Sequence, residues 1–250
     1  MISRFSSKRL DLEGRSALLE RLVAGSAERV GGRVPLLIFD LDGTLLDNRP
    51  RVVAILRELG DHWESKASLA AHGVRRATVE GIGYGFVENL RRLGVEDEAL
   101  HREGFEFWKE RFFADAYLHH DVEVPGAVRF VRRCYEAGAN VMYLTGRDLP
   151  KMALGSFASL RDLGFPIGVV GTSLVTKPEF DIPDDEFKRD VAPHLERVGP
   201  VLAVFDNEPA NCNVLSAAHP ACASVFLDTQ HAPNPPELEP AVLVVESFHH

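Results

Sequence analysis

The hydrophobic residues of this chain form short uninterrupted runs, separated by longer stretches in which they recur at helical spacing. A short uninterrupted apolar run bounded by turn residues is typical of a strand buried on both faces of a parallel sheet. The predicted core strands lie at 36–39, at 141–144, within 167–176, at 201–205, at 222–227 and, as a short last strand, at 242–245.

Helical patterns follow the predicted core strands in the second half of the chain. Residues 128–137 predict a helix that ends at Gly138, and residues 151–163 predict one that ends at Gly164. Alternation of strands and helices is typical of an α/β fold. The sequence therefore predicts a three-layer, doubly wound, Rossmann-like parallel sheet.

Residues 50–121 depart from this alternation because they contain helical patterns and no strand-like run. They predict helices that end at Gly60 and at Gly94, and a third helix over 98–113. About 70 residues are too many for a plain crossover between two strands, which usually contains a single helix. The pattern predicts an inserted helical cap over the site where the core binds its ligand.

A glycine-rich stretch within this predicted cap, residues 81–86, has two interpretations. It can be a flexible loop that brings Tyr84 or Phe86 towards a substrate, or a helix break with no ligand role. It does not have the glycine spacing of a dinucleotide-binding loop, and no strand precedes it.

The residues before the first strand predict a separate helix. Residues 10–30 carry apolar positions at helical spacing, and Gly31 and Gly32 are expected to stop the helix, which packs on the outside of the core. The predicted domains are an N-terminal helical extension (1–34), a core in two segments (35–49 and 122–250) and a helical cap (50–121).

Composition and charge narrow the class of protein. The chain has 250 residues, with 28 basic and 37 acidic side chains and a formal net charge of -9. No long basic run occurs, which argues against nucleic acid as a partner. A negative surface also means that an anionic substrate needs a local positive site.

The cysteines and the apolar segments indicate the cellular compartment that we expect for the protein. The chain has three cysteines, with no metal-ligand spacing, which is typical of a reducing compartment. We find neither the apolar core of a signal peptide nor a stretch long enough to span a bilayer. The expectation is a soluble cytoplasmic protein with no membrane partner.

Candidate chemistry begins where the first predicted strand ends, in Asp40-Leu41-Asp42-Gly43-Thr44. Acids at the carboxyl end of such a strand lie where open α/β sheets bind ligands. One carboxylate can attack phosphorus, and the other can protonate the leaving oxygen and later take a proton from water. The alternative is that Asp40 caps the next element and Asp42 begins a turn.

This stretch resembles the first motif of the haloacid dehalogenase-like hydrolase superfamily. The resemblance implies a core sheet of strand order 5-4-1-2-3. It also implies a Thr or Ser after a second strand, a lysine further on, and an acid after a fourth strand. Dehalogenating relatives lack an Asp two residues after the nucleophile, whereas this chain has Asp42, so the resemblance favours phosphatase chemistry.

The second required motif matches Thr145-Gly146-Arg147, after the predicted strand 141–144. A hydroxyl and backbone N–H groups at a strand end before a helix form an anion site. The resemblance implies that Thr145 holds a phosphoryl oxygen. Arg147 can pair with the substrate or with a neighbouring acid.

Two lysines compete for the third motif. Lys177 follows the third predicted strand, and Lys188 lies in the opening part of a predicted helix. The resemblance favours Lys188, because relatives place this lysine near the helix start and an ammonium must lie close to the anion. Either lysine can also be a solvated surface residue.

The fourth motif matches imperfectly. The strand 201–205 is followed by Asp206, but Phe205 replaces the usual glycine and Asn211 stands where many relatives have a second Asp. Asp206 is the expected metal carboxylate. Asn207, Glu208 and Asn211 are candidates for direct or water-bridged ligands, since Mg²⁺ keeps several waters and needs few protein carboxylates.

Together these motifs imply a Mg²⁺-dependent phosphohydrolase that acts on a small phosphorylated metabolite through an aspartyl-phosphate. The implied catalytic residues are Asp40, Asp42, Thr145 and Lys188, and the implied metal ligands are Asp40, Asp206 and the backbone carbonyl of Asp42. The implied substrate-binding residues are Gly43, Thr44, Thr145, Gly146 and Lys188. A phosphotransferase or phosphomutase using the same intermediate, and a non-catalytic binding protein of the same fold, are the alternatives. The sequence indicates no oligomeric state.

Overall fold

A computed structural model describes residues 4–249, apart from the side chain of Ser7. The chain divides into two compact units. The sheet unit contains the described residues up to Leu46, Glu123–Pro150 and those from Leu160 onward; the helical unit contains Asp47–Val122 and Lys151–Ser159. Residues 1–3 and 250, which the predicted extension and core include, lie outside the described residues.

The strands and helices follow the predicted alternation. In chain order the strands are β1 Leu36–Phe39, β2 Leu46–Asp47, β3 Val122–Glu123, β4 Asn140–Asp148, β5 Thr172–Lys177, β6 Val201–Asp206, β7 Ala223–Leu227 and β8 Leu243–Val245. The α-helices are α1 Leu12–Ser26, α2 Arg49–Trp63, α3 Ser68–Arg75, α4 Phe86–Arg92, α5 Glu98–Phe112, α6 Ala127–Ala137, α7 Leu149–Leu163, α8 Asp184–Val191 and α9 Pro209–Ala218. Short 3-10 helices cover Ser6–Lys8, Val79–Gly81, Asp115–His120 and Ala192–Arg197.

The central sheet has the order β5-β4-β1-β6-β7-β8, with every neighbouring pair parallel. Read from β7 and numbered along the core, its first five strands have the order 5-4-1-2-3, so the predicted doubly wound sheet is confirmed. β8 adds a sixth strand at the β7 edge, and β2 and β3 form a separate two-stranded sheet.

The sheet is covered by helices on both faces. All four residues of β1 are buried, and because side chains alternate along a strand, Leu37 and Phe39 enter one apolar cluster while Leu36 and Ile38 enter another. The first cluster includes side chains of α1 and α6, and the second includes side chains of α8 and α9. These are the three layers expected from continuous apolar strands.

Some element boundaries differ from the prediction. The third core strand begins only at Thr172, since the backbone turns at Gly168 and Gly171, which have φ of 72° and 85°. The helix α1 ends at Ser26, before the glycine pair. Gly31 and Gly32 instead form the turn of a short bridge between Val30 and Arg33.

The helical unit has its own core, built around Trp63 and apolar residues of α2 to α5. The predicted helix end at Gly60 is wrong: α2 continues to Trp63, because Leu59 and Trp63 lie one turn apart and both are fully buried. The predicted end at Gly94 is close, since α4 ends at Arg92. The helix α3 was not predicted. Residues 151–159 were predicted as part of the core, but they belong to the helical unit.

The glycine-rich stretch of the helical unit contributes a core side chain. Phe86 begins α4 and is buried. The Asn89 side chain accepts from Gly83 N at 2.8 Å and donates to Gly83 O at 2.9 Å, which ties the loop to the helix. Tyr84 is 56% exposed. That this unit caps the binding site of the core stays a prediction.

Among residues 4–249, none of the helices is both long and apolar enough to cross a membrane.

Candidate active site

Two carboxylates meet at the carboxyl end of the central strands. Asp40 follows β1 and Asp206 ends β6, and these strands are neighbours in register, with Phe39 opposite Phe205. The backbone N–H of Asp40 donates to Phe205 O at 2.9 Å. Both side chains are buried, so the sheet alone places two acids together in a region that excludes water.

Lys188 joins these two carboxylates. Its Nζ lies 2.8 Å from Asp40 Oδ1 and 2.6 Å from Asp206 Oδ2, and its side chain is 2% exposed. The inward face of α8 carries Phe187 and Lys188. One ammonium therefore bridges the acids of two strands.

Lys177, the competing lysine, has a different environment. Its Nζ donates to the carbonyls of Phe180 and Ile182 at 3.2 and 2.8 Å, and to Asp184 Oδ1 at 2.8 Å. These partners all belong to the segment between β5 and the first turn of α8. The structure thus brings Lys188 to Asp40 and uses Lys177 to fasten the loop that leads to α8.

Burial and charge shift the pKa values of this cluster. Burial raises the pKa of Asp40 to about 7, opposed by the charge of Lys188 and reinforced by the charge of Asp206. For Lys188, burial lowers the pKa, but the charges of Asp206 and Asp40 outweigh it and leave the pKa raised. The lysine stays charged and holds both carboxylates.

Asp42, the second acid of the motif, is held by Arg147. Arg147 Nε donates to Asp42 Oδ2 at 2.7 Å, and Arg147 Nη2 donates to Asp42 Oδ1 at 2.9 Å. The Arg147 side chain is 1% exposed and that of Asp42 is 28% exposed. The sequence left two partners open for Arg147, the substrate or a neighbouring acid. In the structure its partner is a neighbouring acid, Asp42.

Gly43 and Thr44 shape the turn after these acids. Gly43 has φ of 78°, a conformation that favours glycine, and a Cβ there would overlap the side-chain amide of Asn207. Thr44 is fully buried, and its Oγ1 donates to Asn207 Oδ1 at 3.3 Å. Asn207 also donates to Gln230 O at 2.6 Å. Asn207 therefore fastens the turn to the loop after β7.

Thr145 and Gly146 lie on the strand next to β1. β4 continues past the predicted end at Leu144 to Asp148, with an irregular register against β5. Thr145 is buried, and its Oγ1 accepts from Arg147 N at 3.3 Å. The Thr145 hydroxyl therefore lies in the interior, on the strand that pairs with β1.

Asp184 is a neighbour of this motif that the sequence reasoning missed. A Cβ at Gly146 would overlap the Asp184 carboxylate, so glycine leaves room for an acid beside the predicted anion site. Lys177 pairs with that acid at 2.8 Å. The only sequence signal was the run of acids that opens α8, which reads equally well as ordinary helix capping.

The residues after Asp206 have protein partners. Asp206 Oδ1 accepts from Glu208 N at 2.9 Å and from Asn211 Nδ2 at 3.2 Å. Glu208 accepts from Ala232 N at 2.9 Å, and burial raises its pKa to about 7. Asn211 thus supports Asp206 as a neutral donor at the place where many relatives have an acid.

The donor set can be tested against Mg²⁺. Asp40 and Asp206 converge on one ammonium, so both carboxylates can reach a single cation. In the described part of the chain, no group of three or more His, Cys, Asp or Glu side chains is placed to hold a metal, and the Asp42 carboxylate is paired with Arg147. Two carboxylates completed by a backbone carbonyl and waters fit Mg²⁺, which keeps several waters.

Comparison with known proteins identifies the family of this chain. A family model for haloacid dehalogenase-like hydrolases matches residues 34–204. The chain therefore belongs to the haloacid dehalogenase-like hydrolases, a superfamily whose members generally use Mg²⁺. A search of curated proteins found no match.

Solved structures show the same fold at low sequence identity. A proposed phosphatase from Clostridium difficile aligns with a TM-score of 0.56 and 15% identity, covering 85% of this chain and 94% of that one. A haloacid dehalogenase-like family hydrolase from Streptococcus pneumoniae aligns with a TM-score of 0.50 and 9% identity, covering 86% and 94%. At these identities the likeness concerns the fold alone.

Proposed function

We propose that this protein is a Mg²⁺-dependent phosphohydrolase that acts on a small phosphorylated metabolite through an aspartyl-phosphate intermediate. The observation that carries the proposal is the cluster in which Lys188 bridges Asp40 and Asp206 at 2.8 and 2.6 Å. A nucleophilic carboxylate, a fixed ammonium and a second metal-binding carboxylate are the groups that phosphoryl transfer to an aspartate requires.

The charges of the cluster explain how a phosphate monoester is accepted. A phosphate dianion would be repelled by Asp40 and Asp206, and Lys188 alone leaves those carboxylates with a net negative charge. Mg²⁺, when bound by these carboxylates, supplies the additional positive charge that stabilises the transferring phosphoryl group. Lys188 and Thr145 hold the phosphoryl oxygens.

The residues of the first motif carry the chemical steps. The Asp40 carboxylate attacks phosphorus, and the bond from phosphorus to the leaving oxygen breaks while that oxygen takes a proton from Asp42. Asp42 then takes a proton from water, which attacks the phosphorus of the aspartyl-phosphate and releases phosphate and free Asp40. The presence of Asp42 supports phosphate chemistry over dehalogenation.

The presence of a helical unit supports the proposal that the substrate is small, because a helical lid restricts what enters an active site and excludes water during chemistry. A cytoplasmic location is supported by the cysteines: Cys134, Cys212 and Cys222 are free thiols, and burial raises the pKa of each. A screen of phosphate monoesters will identify the substrate.

The proposal is tested by hydrolysis of p-nitrophenyl phosphate with and without Mg²⁺. We expect metal-dependent release of phosphate by the wild type, and a loss of at least about a thousand-fold in Asp40→Asn, because the nucleophile is removed. Asp162→Asn makes the same chemical change in an exposed pair with Arg161 and should leave the rate unchanged.

Other results would favour the alternatives. Turnover that needs an added acceptor, with no phosphate release to water, would indicate a phosphotransferase or phosphomutase. Absence of metal-dependent turnover, or equal turnover by Asp40→Asn, would indicate a non-catalytic protein of the same fold.

A further inference from the structure

The contact between Arg147 and Asp42 joins two motifs that lie 105 positions apart in the chain. Both carboxylate oxygens of Asp42 are engaged, at 2.7 and 2.9 Å, by the planar edge of one guanidinium. Such bidentate contacts fix orientation as well as distance. A single hydrogen bond would leave the carboxylate free to rotate.

Exposure differs sharply between the two partners. The Arg147 side chain is 1% exposed, whereas Asp42 is 28% exposed. A guanidinium cannot lose its charge, so its burial is costly unless a carboxylate compensates it. The arginine is therefore the enclosed member of the pair, and Asp42 is the member that stays partly exposed.

This partial exposure is compatible with proton transfer. Each carboxylate oxygen has two lone-pair directions, so an oxygen that accepts from Arg147 can also bind a proton or give it to a leaving oxygen while the guanidinium contact is kept. Arg147 lies two residues after Thr145 on β4. The strand that carries the predicted phosphoryl-binding hydroxyl of Thr145 therefore also carries the residue that orients Asp42.

We propose that Arg147 is a positioning residue that holds Asp42 in the orientation needed for general acid–base catalysis, and that it acts on the reaction only through Asp42. This inference rests on the proposed phosphohydrolase function. General acid–base catalysis contributes about 100-fold to 10,000-fold to a rate. If the acid is wrongly oriented, part of this rate enhancement is lost.

A double-mutant cycle tests the inference. In the wild-type background we expect Arg147→Gln to lower kcat for an alkyl phosphate monoester by about 100-fold with little change in KM. In an Asp42→Asn background the same substitution should change kcat by less than about three-fold, because the group it orients is already disabled. Arg147→Lys, which keeps the charge and one hydrogen bond, should restore part of the loss.

The leaving group supplies a second readout. p-Nitrophenolate leaves readily without protonation, so Arg147→Gln should cost much less with p-nitrophenyl phosphate than with an alkyl phosphate. A matched control is Arg51→Gln, which breaks another buried bidentate pair, with Asp121. That control should show no dependence on the leaving group and no dependence on Asp42.

Several results would overturn the inference. Equal losses with both substrates and in both backgrounds would indicate a structural role, and a raised KM that persists in Asp42→Asn would indicate direct contact with substrate. If Arg147→Gln does not fold, the cycle is run with Arg147→Lys, for which additive losses count against the inference. Absence of metal-dependent turnover in the wild type overturns the proposed function and this inference together; full activity of Arg147→Gln overturns this inference alone.

Discussion

The two units of this protein each contain a buried arginine that holds an aspartate through two hydrogen bonds. In the helical unit Arg51 contacts Asp121 at 2.8 and 2.6 Å, and both side chains are 0% exposed. In the sheet unit Arg147 contacts Asp42, which is 28% exposed. The geometry of the two pairs is nearly the same, and the difference lies in access to solvent.

We expect that difference to separate a pair with a structural role from a pair with a role in the proposed reaction. Arg51 also donates to Phe112 O at 2.9 Å and lies 4.3 Å from the centre of the Phe112 ring, so it links the start of α2 to the end of α5 as well as to Asp121. A pair enclosed on every side cannot exchange protons with a ligand. Asp42 stays partly exposed, and Asp40, the proposed nucleophile, lies two positions before it.

The largest expected effect on stability comes from breaking the enclosed pair. Arg51→Met leaves the Asp121 carboxylate buried without its cation, so the free energy of unfolding should fall by about 3–5 kcal/mol. Urea denaturation followed by circular dichroism measures the loss. Arg161→Met, which breaks an exposed pair with Asp162, should leave the midpoint unchanged.

A loss after Arg51→Met no larger than that of the exposed control would show that the enclosed pair does not differ from a surface pair. Replacing both members, as in Arg51→Met with Asp121→Leu, should recover much of the loss, because no uncompensated charge is then buried.

An effect of intermediate size is expected in the pH dependence of stability of the metal-free protein, prepared with a chelator, because the pKa of Asp40 is shifted. The folded pKa of Asp40 is raised to about 7, above its unfolded value near 4, so the folded state binds more protons than the unfolded state between these values. Stability should therefore fall as pH rises from about 4 to about 7 and then level off. Denaturation midpoints across this range measure the slope.

Two comparisons sharpen this pH dependence. Asp40→Asn should reduce the slope, leaving the contribution of Glu208, whose pKa is also about 7. Added Mg²⁺ at one hundred times its Kd at pH 8 should stabilise the protein by about 2.7 kcal/mol at that pH. The same Mg²⁺ concentration should stabilise it less at pH 5, since protons compete for the carboxylates. A metal effect that does not vary with pH would contradict the assignment of Asp40 as a ligand.

The smallest expected effect concerns Lys177, whose contacts fasten the loop before α8. Lys177→Met removes hydrogen bonds to Phe180, Ile182 and Asp184, and should lower stability by about 1–3 kcal/mol. Since Lys177 acts on the loop, kcat should fall less than ten-fold, roughly, whereas Lys188→Met should abolish turnover. Kinetics of the two variants at saturating Mg²⁺ provide the measurement, and a larger loss for Lys177→Met would reverse the roles of the two lysines.

The sheet could be read from the sequence because its strands are specified locally. β1 is a fully buried apolar run, and β6 and β7 are apolar apart from Asp206 and Ser224 and are buried over most of their length. Their short length and the turn residues that bound them distinguish such runs from buried helices. Boundaries failed where local signals conflict with packing. α2 passes through Gly60 because the burial of Leu59 and Trp63 outweighs the helix-breaking preference of one glycine.

The acids at the strand ends, Asp40, Asp42 and Asp206, were likewise determined by the sequence itself, since a motif directly after a buried strand must lie at the edge of the sheet where parallel strands end. Which groups pair there was decided by the tertiary structure. The contacts of Lys188 with Asp40 and of Arg147 with Asp42 span 148 and 105 positions. The Asp184 carboxylate lies where a Cβ at position 146 would be, and that closeness depends on how α8 packs. Local patterns record burial and turns, whereas charge pairing across the sheet depends on which elements packing brings together.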